Sequence, residues 1–247
     1  MSEQISIRFY GELNDFLPPD QRQQVLQATL RPDSSIKDMI ESLGVPHTEI
    51  DLILVNGQPS GFNQRLKDND HLSAYPAFTS LDVSQLNHLQ PPPLQPPRFV
   101  LDCHLGRLAA YLRLLGFDTL YQNNYHDAEL AAISTKEERI LFTCDRQLLM
   151  RREITRGYFV RSRQPHQQLP EVIRRFNLKN ALQPFSRCMH CNGPLHSVEK
   201  DAISQHLPPR TKMYFNEYWQ CEGCQKVYWK GSHYERMQTW IDNLQIN

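Results

Sequence analysis

Apolar and polar residues alternate through ISIRFY (Ile5 to Tyr10), the period-two pattern of a half-buried strand. Further on, Ile36, Met39, Ile40 and Leu43 recur at helical spacing, with Asp33 or Ser34 placed to cap that helix and Gly44 to stop it. DLILVNG reads as a buried strand ending in an Asn56-Gly57 turn, and DNDHLSAYPAF as a loop feeding a last short strand. The first 80 or so residues thus predict the order strand, strand, helix, strand, strand.

A seam follows. QPPPLQPPR, Gln90 to Arg98, places five prolines in seven residues. Proline cannot donate to a ladder or sit inside a helix, so a semi-rigid spacer is expected there. After it the pattern changes to alternation of short apolar runs with helical ones. RFVLDC is a strand, and Leu105, Leu108, Ala109, Leu112 and Leu115 mark a helix closed by Gly116. DTLY is a strand, DAELAAISTKEE a helix, RILFTCD a strongly apolar strand, RQLLMRRE a helix and GYFVRS a strand; a further helix covers Pro170 to Phe176. Strands and helices in this alternation predict a parallel, doubly wound α/β sheet. The expected domains are 1–80, a linker over 81–97, an α/β domain over 98–180, and a C-terminal part over 181–247.

Composition narrows the function classes. At 40% hydrophobic and 22% charged the chain is of ordinary globular make-up, with no run approaching a membrane span. MSEQISIRFYGEL has no apolar signal core, so a cytoplasmic protein is expected, and there six cysteines point to thiols or metal rather than disulfides. The formal net charge of zero hides a split. Residues 1–97 carry 6 Lys and Arg against 12 Asp and Glu, a net of −6, and residues 98–247 carry 21 against 15, a net of +6. The basic half suits a polyanion.

Parallel sheets bind ligands beyond the carboxyl ends of their strands. Asp102 ends one strand, Asp145 ends RILFTCD, and Asp127 opens a helix with Glu129 close behind. A single strand-end Asp is more often a helix cap than a ligand. Several converging on one rim would instead repel one another without a cation, and hard oxygens favour Mg²⁺ or Mn²⁺. Cys103 and Cys144, beside two of these acids, are expected to be small core residues. His104 is a secondary candidate for proton transfer.

The strongest local signal lies near the end. Cys188-x-x-Cys191 and Cys221-x-x-Cys224 are two hooks separated by 29 residues, the spacing of a structural Cys₄ zinc ribbon. His190, His196, His206 and His233 are alternative ligands that four cysteines make unnecessary. A dense run of arginines (Arg146, Arg151, Arg152, Arg156, Arg161 and Arg163) stands beside Asp145, where it could hold a phosphate backbone.

Two resemblances sharpen these readings. VNGQPSGFNQRLKDNDHLSAYP looks like the second half of the ubiquitin-like β-grasp domains of the sulfur-carrier group (the MoaD and ThiS kind). Those carriers end in a free Gly-Gly, whereas Pro76-Ala77-Phe78 runs on into another 170 residues, so carrier chemistry is not implied and a binding or scaffolding module is. FVLDCHLGRLAAYLRLLGFDTLY, HDAEL, RILFTCDRQLLMRR and TRGYFVRS resemble the PIN-like RNase family first described at the C-terminus of the Mut-seven exonuclease, and FSRCMHCNGPL and VYWKGSHYERM its zinc-binding tail. That resemblance implies metal-dependent RNA cleavage with Asp102, Asp127 and Asp145 as the matching acids. The expectation is an RNA-cutting enzyme with structural Zn²⁺ and catalytic Mg²⁺ or Mn²⁺, whose acidic N-terminal domain recruits a protein partner or shields the basic face. The rivals are a non-catalytic RNA-binding adaptor, a sulfur-carrier-related assembly factor and a DNA-binding ribbon protein.

Overall fold

A computed structural model describes residues 3–77 and 89–242, so the expected linker is seen only from Leu89 onward. Along the chain run β1 (Gln4–Phe9), β2 (Val25–Thr29), α1 (Ile36–Ser42), β3 (Ile50–Val55), β4 (Gln58–Ser60) and β5 (His71–Pro76). After the prolines come β6 (Arg98–Leu101), α2 (Gly106–Leu114), β7 (Asp118–Tyr121), α3 (Asp127–Lys136), β8 (Ile140–Thr143), α4 (Arg146–Leu149), β9 (Gly157–Phe159) and α5 (Pro165–Arg175). The remainder holds β10 (Leu195–Val198), α6 (Lys200–Ile203), α7 (Pro209–Tyr214), β11 (Tyr218–Cys221), β12 (Val227–Trp229) and α8 (Ser232–Asp242). Among the described residues no helix is long and apolar enough to cross a membrane.

By contact the chain forms two units, one of residues 1–95 with 125–159, the other of 96–124 with 160–247. The first contains a five-stranded sheet in the order β2-β1-β5-β3-β4, with β1 and β5 parallel and the other pairs antiparallel. This is the ubiquitin-like β-grasp. Helix α1 buries Ile36, Met39 and Ile40 against that sheet, beside Ile5, Ile7, Ile53 and Leu72. Its cap is Ser35, not Asp33 or Ser34: the Ser35 hydroxyl accepts from Asp38 N while the Asp38 carboxylate accepts from Ser35 N at 2.9 Å. Asp33 instead pairs with Arg65. Asn56 and Gly57 both take positive φ, 51° and 81°, as a two-residue hairpin turn demands. That hairpin returns as β4, which the pattern did not announce because it has three residues, one of them Pro59.

The same unit holds α3, β8, α4 and β9. Strands β8 and β9 pair in parallel, and all four residues of β8 are buried. Phe159 of β9 packs on the β-grasp core and meets Phe16 edge-on, ring centroids 5.3 Å apart. The proline segment is no free spacer at its start. Leu89 N donates to Asp51 O at 2.8 Å, and Gln90 Nε2 to Ile50 O at 2.6 Å.

In the second unit β6 and β7 pair in parallel. Phe99 of β6 is fully buried and meets Phe117 and Phe176 edge-on. Strands β10, β11 and β12 form an antiparallel sheet whose small core is Ile203, Leu207 and Tyr218, with Phe215 and Trp229 packed against it. Tyr218, Phe215 and Trp229 therefore serve packing. Tyr214 does not, standing 71% exposed on α7 beside Met213.

Candidate functional site

Phe99, Val100 and Leu101 sink β6 into the core and leave Asp102 at its end, 4% exposed. Asp102 Oδ1 accepts from His104 N at 2.8 Å, capping a single 3₁₀ turn over Cys103–Leu105. His104 Nδ1 lies 3.4 Å from the same oxygen and 3.5 Å from Cys103 Sγ. The three side chains form one compact group, their ligand atoms all within 4.8 Å of one another.

The turn is held from β7 by a residue that sequence reasoning missed. Tyr121 OH donates to Cys103 O at 3.0 Å and also bonds Asn123. Gly106 is what admits it, since a Cβ there would stand 2.6 Å from the Tyr121 hydroxyl oxygen. Burial, then the neighbouring Cys103 and Asp102 charges, raise the Tyr121 phenol above its ordinary range, so it stays a donor. A glycine opening a helix four positions after a strand-end acid was the available signal.

Asp145 stands two residues past β8. Its N–H donates to Thr143 Oγ1 at 2.9 Å, and its Oδ1 accepts from Gln147 N at 2.8 Å, capping α4. The residue is exposed beyond that bond. Asp127 is the first residue of α3 and exposed; the cap there is His126, whose N–H donates to Glu129 Oε2 at 3.1 Å. Glu129 is thus occupied at the helix start. Among the described residues, the compact ligand groups are Asp102-Cys103-His104 and the four hook cysteines, and Asp127 and Asp145 stand outside both. Cys103 and Cys144 are exposed, not core residues, because they lie two positions and one position beyond the ends of β6 and β8.

The arginines separate into two kinds. Arg146 Nη1 donates to Phe16 O at 2.8 Å, its guanidinium over the Phe16 and Phe159 rings. Arg156 Nη1 donates to Pro92 O at 2.6 Å. These two are turned toward the β-grasp domain and the proline segment by carbonyls and rings far away in sequence. Arg151 pairs with Glu153 at 3.2 Å, and Arg161 N donates to Glu171 Oε1 at 2.8 Å. Arg152 and Arg163 are exposed.

The hooks converge. The Cys188 and Cys224 sulfurs lie 3.6 Å apart, those of Cys191 and Cys221 3.3 Å apart, and all four within 4.8 Å of one another. A tetrahedron with Zn–S of about 2.3 Å has edges of about 3.8 Å, so the set needs little adjustment to hold zinc. Each hook is built by backbone. Cys188 N donates to Gly193 O at 2.8 Å and Cys221 N to Lys226 O at 3.0 Å, while Asn192 and Gln225 turn the chain at φ of 72° and 60°. A Cβ on Gly193 would come 2.8 Å from Cys221 Sγ, so the sulfur nest requires glycine there. Burial pushes the Cys224 thiol up, with its neighbouring thiols adding to this, to about 12. Burial acts upward on Cys188 too, but the Tyr228 hydroxyl at 3.0 Å and the hook's backbone N–H groups outweigh it and bring Cys188 down to about 7. Four sulfurs crowded this way cannot all ionise alone, and a dication lets them. His196, one of the alternative ligands, faces Glu222 at 4.0 Å.

Comparison with known proteins adds two matched families. The one described as Mut7-C RNAse domain matches residues 97–241, and the one described as Mut7-C ubiquitin matches residues 2–82. No curated protein matches the chain. Among solved structures, small archaeal modifier protein 1 of H. volcanii aligns at 13% identity over 31% of this chain and 99% of its own, with a TM-score of 0.26. The Haloferax volcanii HVO 2177 protein aligns at 18% identity over 30% of this chain and 83% of its own, TM-score 0.26. A putative molybdopterin converting factor, subunit 1, from Pyrococcus furiosus aligns at 19% identity over 31% of this chain and 100% of its own, TM-score 0.25.

Proposed function

The chain belongs to the Mut7-C RNase family, and on that premise we propose that it is a metal-dependent ribonuclease of PIN-like, doubly wound architecture, acting in RNA processing or turnover in the cytoplasm. The observation that carries the reading is Asp102, a carboxylate left 4% exposed at the end of an apolar parallel strand and held there by the Cys103–Leu105 turn. Asp145, though exposed, likewise caps a helical turn after β8, and Asp127 opens α3. Hard carboxylate oxygens at strand ends and a helix start fit Mg²⁺ or Mn²⁺. When bound, such an ion supplies activation of water and charge neutralisation at phosphorus.

The chain's own residues do the rest in this proposal. By the family resemblance, Asp102, Asp127 and Asp145 are the acids that would hold the cation. Glu129 supports Asp127 by fixing the start of α3, and Tyr121 supports Asp102 by fixing its turn. His104, 76% exposed in its side chain and 3.4 Å from Asp102, is placed to hand a proton to a leaving oxygen. Arg151, Arg152 and Arg163 remain to hold the phosphate backbone, with Arg161 in support; Arg146 and Arg156 are engaged within the chain. The four cysteines hold structural Zn²⁺ in a zinc ribbon, a closed shell with no open position. The domain layout of 1–80, 81–97, 98–180 and 181–247 goes with this reading.

A second reading is favoured by one observation: Asp102 and Asp145 both cap helical turns. In a non-catalytic RNA-binding adaptor they would do that alone. Cleavage of labelled single-stranded and structured RNA, with Mn²⁺, Mg²⁺ or EDTA, by wild type and Asp102→Asn/Asp145→Asn separates the two. Metal-dependent cleavage lost in the double variant establishes the nuclease. Wild type that binds RNA and never cuts it establishes the adaptor.

A further inference from the structure

The N-terminal domain meets residues 146–159 through a set of specific contacts. Phe16 ends a 3₁₀ segment of the β-grasp and is 3% exposed. Its carbonyl accepts a hydrogen bond from Arg146 Nη1 at 2.8 Å, and the guanidinium lies 5.4 Å from the Phe16 ring centroid and 5.9 Å from that of Phe159. Glu49, 1% exposed, accepts from Phe159 N at 2.6 Å through Oε1. His47 is 8% exposed and bridges the Glu41 carboxylate at 2.6 Å and the Ile154 carbonyl at 2.9 Å. Side chains crowd Gly157: a Cβ there would be 2.5 Å from Leu149 Cδ2 and in van der Waals contact with Thr48 Oγ1 at 3.4 Å.

Phe16, Glu49 and His47 are buried, Arg146 itself is exposed, and the contacts are directional and spread from one end of α4 to the end of β9. They are the marks of a packed core, not of a tethered domain. Arg146 is also the residue next to Asp145 and the first residue of the helix that Asp145 caps. Whatever fixes Arg146 fixes the turn that aims the Asp145 carboxylate. We infer that the ubiquitin-like domain is a built-in brace of the nuclease domain, and that Phe16 and Glu49 are positioning residues that hold the Asp145 turn through Arg146 and Phe159. The role given to Asp145 rests on the nuclease reading; the brace itself does not.

The test uses the full-length, zinc-loaded chain as wild type, Phe16→Leu, Glu49→Gln and Arg146→Met, the last of which removes no atom from the β-grasp core. Two readouts are taken without RNA, so that loss of a phosphate contact cannot move them. Hydrogen exchange at the amides of Gln147–Leu149 is expected to quicken by at least about tenfold in each variant, with β1 and β5 amides unchanged in Arg146→Met. Mn²⁺ affinity, measured by titration, is expected to fall about tenfold, the effect of removing a residue that orients a ligand. In cleavage assays kcat then falls while KM for RNA holds. Exchange at Gln147–Leu149 unchanged in Arg146→Met overturns the brace, whatever the activity. Faster exchange there with Mn²⁺ affinity intact keeps the brace and overturns its link to the metal. Absence of any cleavage in wild type counts against the nuclease reading alone, since exchange still reports the brace.

Discussion

The guanidinium of Arg113 on α2 donates from Nη1 to the carbonyl of His190, inside the first cysteine hook, at 2.8 Å. The same nitrogen reaches Met189 O at 3.2 Å, and Nε donates to Thr119 O of β7 at 2.9 Å. Arg113 is 5% exposed, so this is a buried cation held by backbone carbonyls. Asn192 completes the joint, accepting from Thr119 N at 2.9 Å and donating to Asp118 Oδ1 at 2.7 Å. The hook is therefore fastened to the strand and helix that flank the Asp102 turn. Replacing Arg113 by Met takes this donor from the buried Thr119 carbonyl and the less buried Met189 and His190 carbonyls, and the variant is expected to lose about 1–3 kcal/mol of stability. Urea unfolding followed by fluorescence, with zinc-release rates in a competing chelator, checks this; release faster than wild type is the specific sign that the hook is affected.

Zinc removal tests the cysteine cluster directly. One zinc per chain is expected by elemental analysis, and none in Cys188→Ser/Cys221→Ser. Because metal binding at such sites supplies about 10 kcal/mol or more of folding free energy, stripping it is expected to unfold β10, β11 and β12. Near-ultraviolet dichroism from Tyr218 and Trp219 follows that loss, and re-addition of zinc restores it.

What the sequence disclosed and what it hid follow from range. The strands Ile140–Thr143 and Arg98–Leu101 were legible because a buried parallel strand is a continuous apolar run. Gly44 and Gly116 were legible as stops because only glycine takes φ of 86° and 93° cheaply. The cysteine hooks were legible by spacing. The helices α6 and α7 lack an apolar stripe and were not expected. The association of residues 125–159 with the N-terminal domain could not be read at all, because a bond such as His47 to Ile154 joins partners 107 positions apart with no local trace. Exposure of Cys103 and Cys144 turned on where the strands stop, β6 at Leu101 and β8 at Thr143, each before the cysteine that was expected within it.

Gly157→Ala probes the tightest approach in the first unit. A Cβ there meets Leu149 Cδ2 at 2.5 Å, and Leu149 is fully buried, so it cannot swing aside. Overpacking of this kind costs about 1–3 kcal/mol. A drop in the unfolding midpoint with no change in zinc content is the expected result, since the hooks belong to the other unit.

Tyr121→Phe removes the hydroxyl that bonds both Cys103 O and Asn123, and is expected to cost about 1–2 kcal/mol. Gly106→Ala should do more, because the new methyl drives the whole ring off the turn. If the turn aims Asp102, both variants lose cleavage rate beyond what their stability changes explain, with Gly106→Ala the slower. Single-turnover kinetics at a temperature where each remains folded makes the comparison.

Asp102→Asn and Asp145→Asn separate capping from chemistry. Asparagine caps a helix about as well as aspartate, so the bonds to His104 N and Gln147 N survive and each variant should fold within about 1 kcal/mol of wild type. What disappears is the negative charge. A residue that only caps will not register the change in any assay of RNA cleavage. A residue that holds a divalent cation will, because losing a ligand charge weakens the cation's grip and its several kcal/mol of stabilisation, a loss of at least about 100-fold in rate. Raising Mn²⁺ should then recover part of the rate in the single variants, since weak binding can be overcome by mass action, and none in the double variant. Partial rescue in Asp145→Asn together with unchanged RNA affinity would assign the carboxylate to the metal and not to the fold.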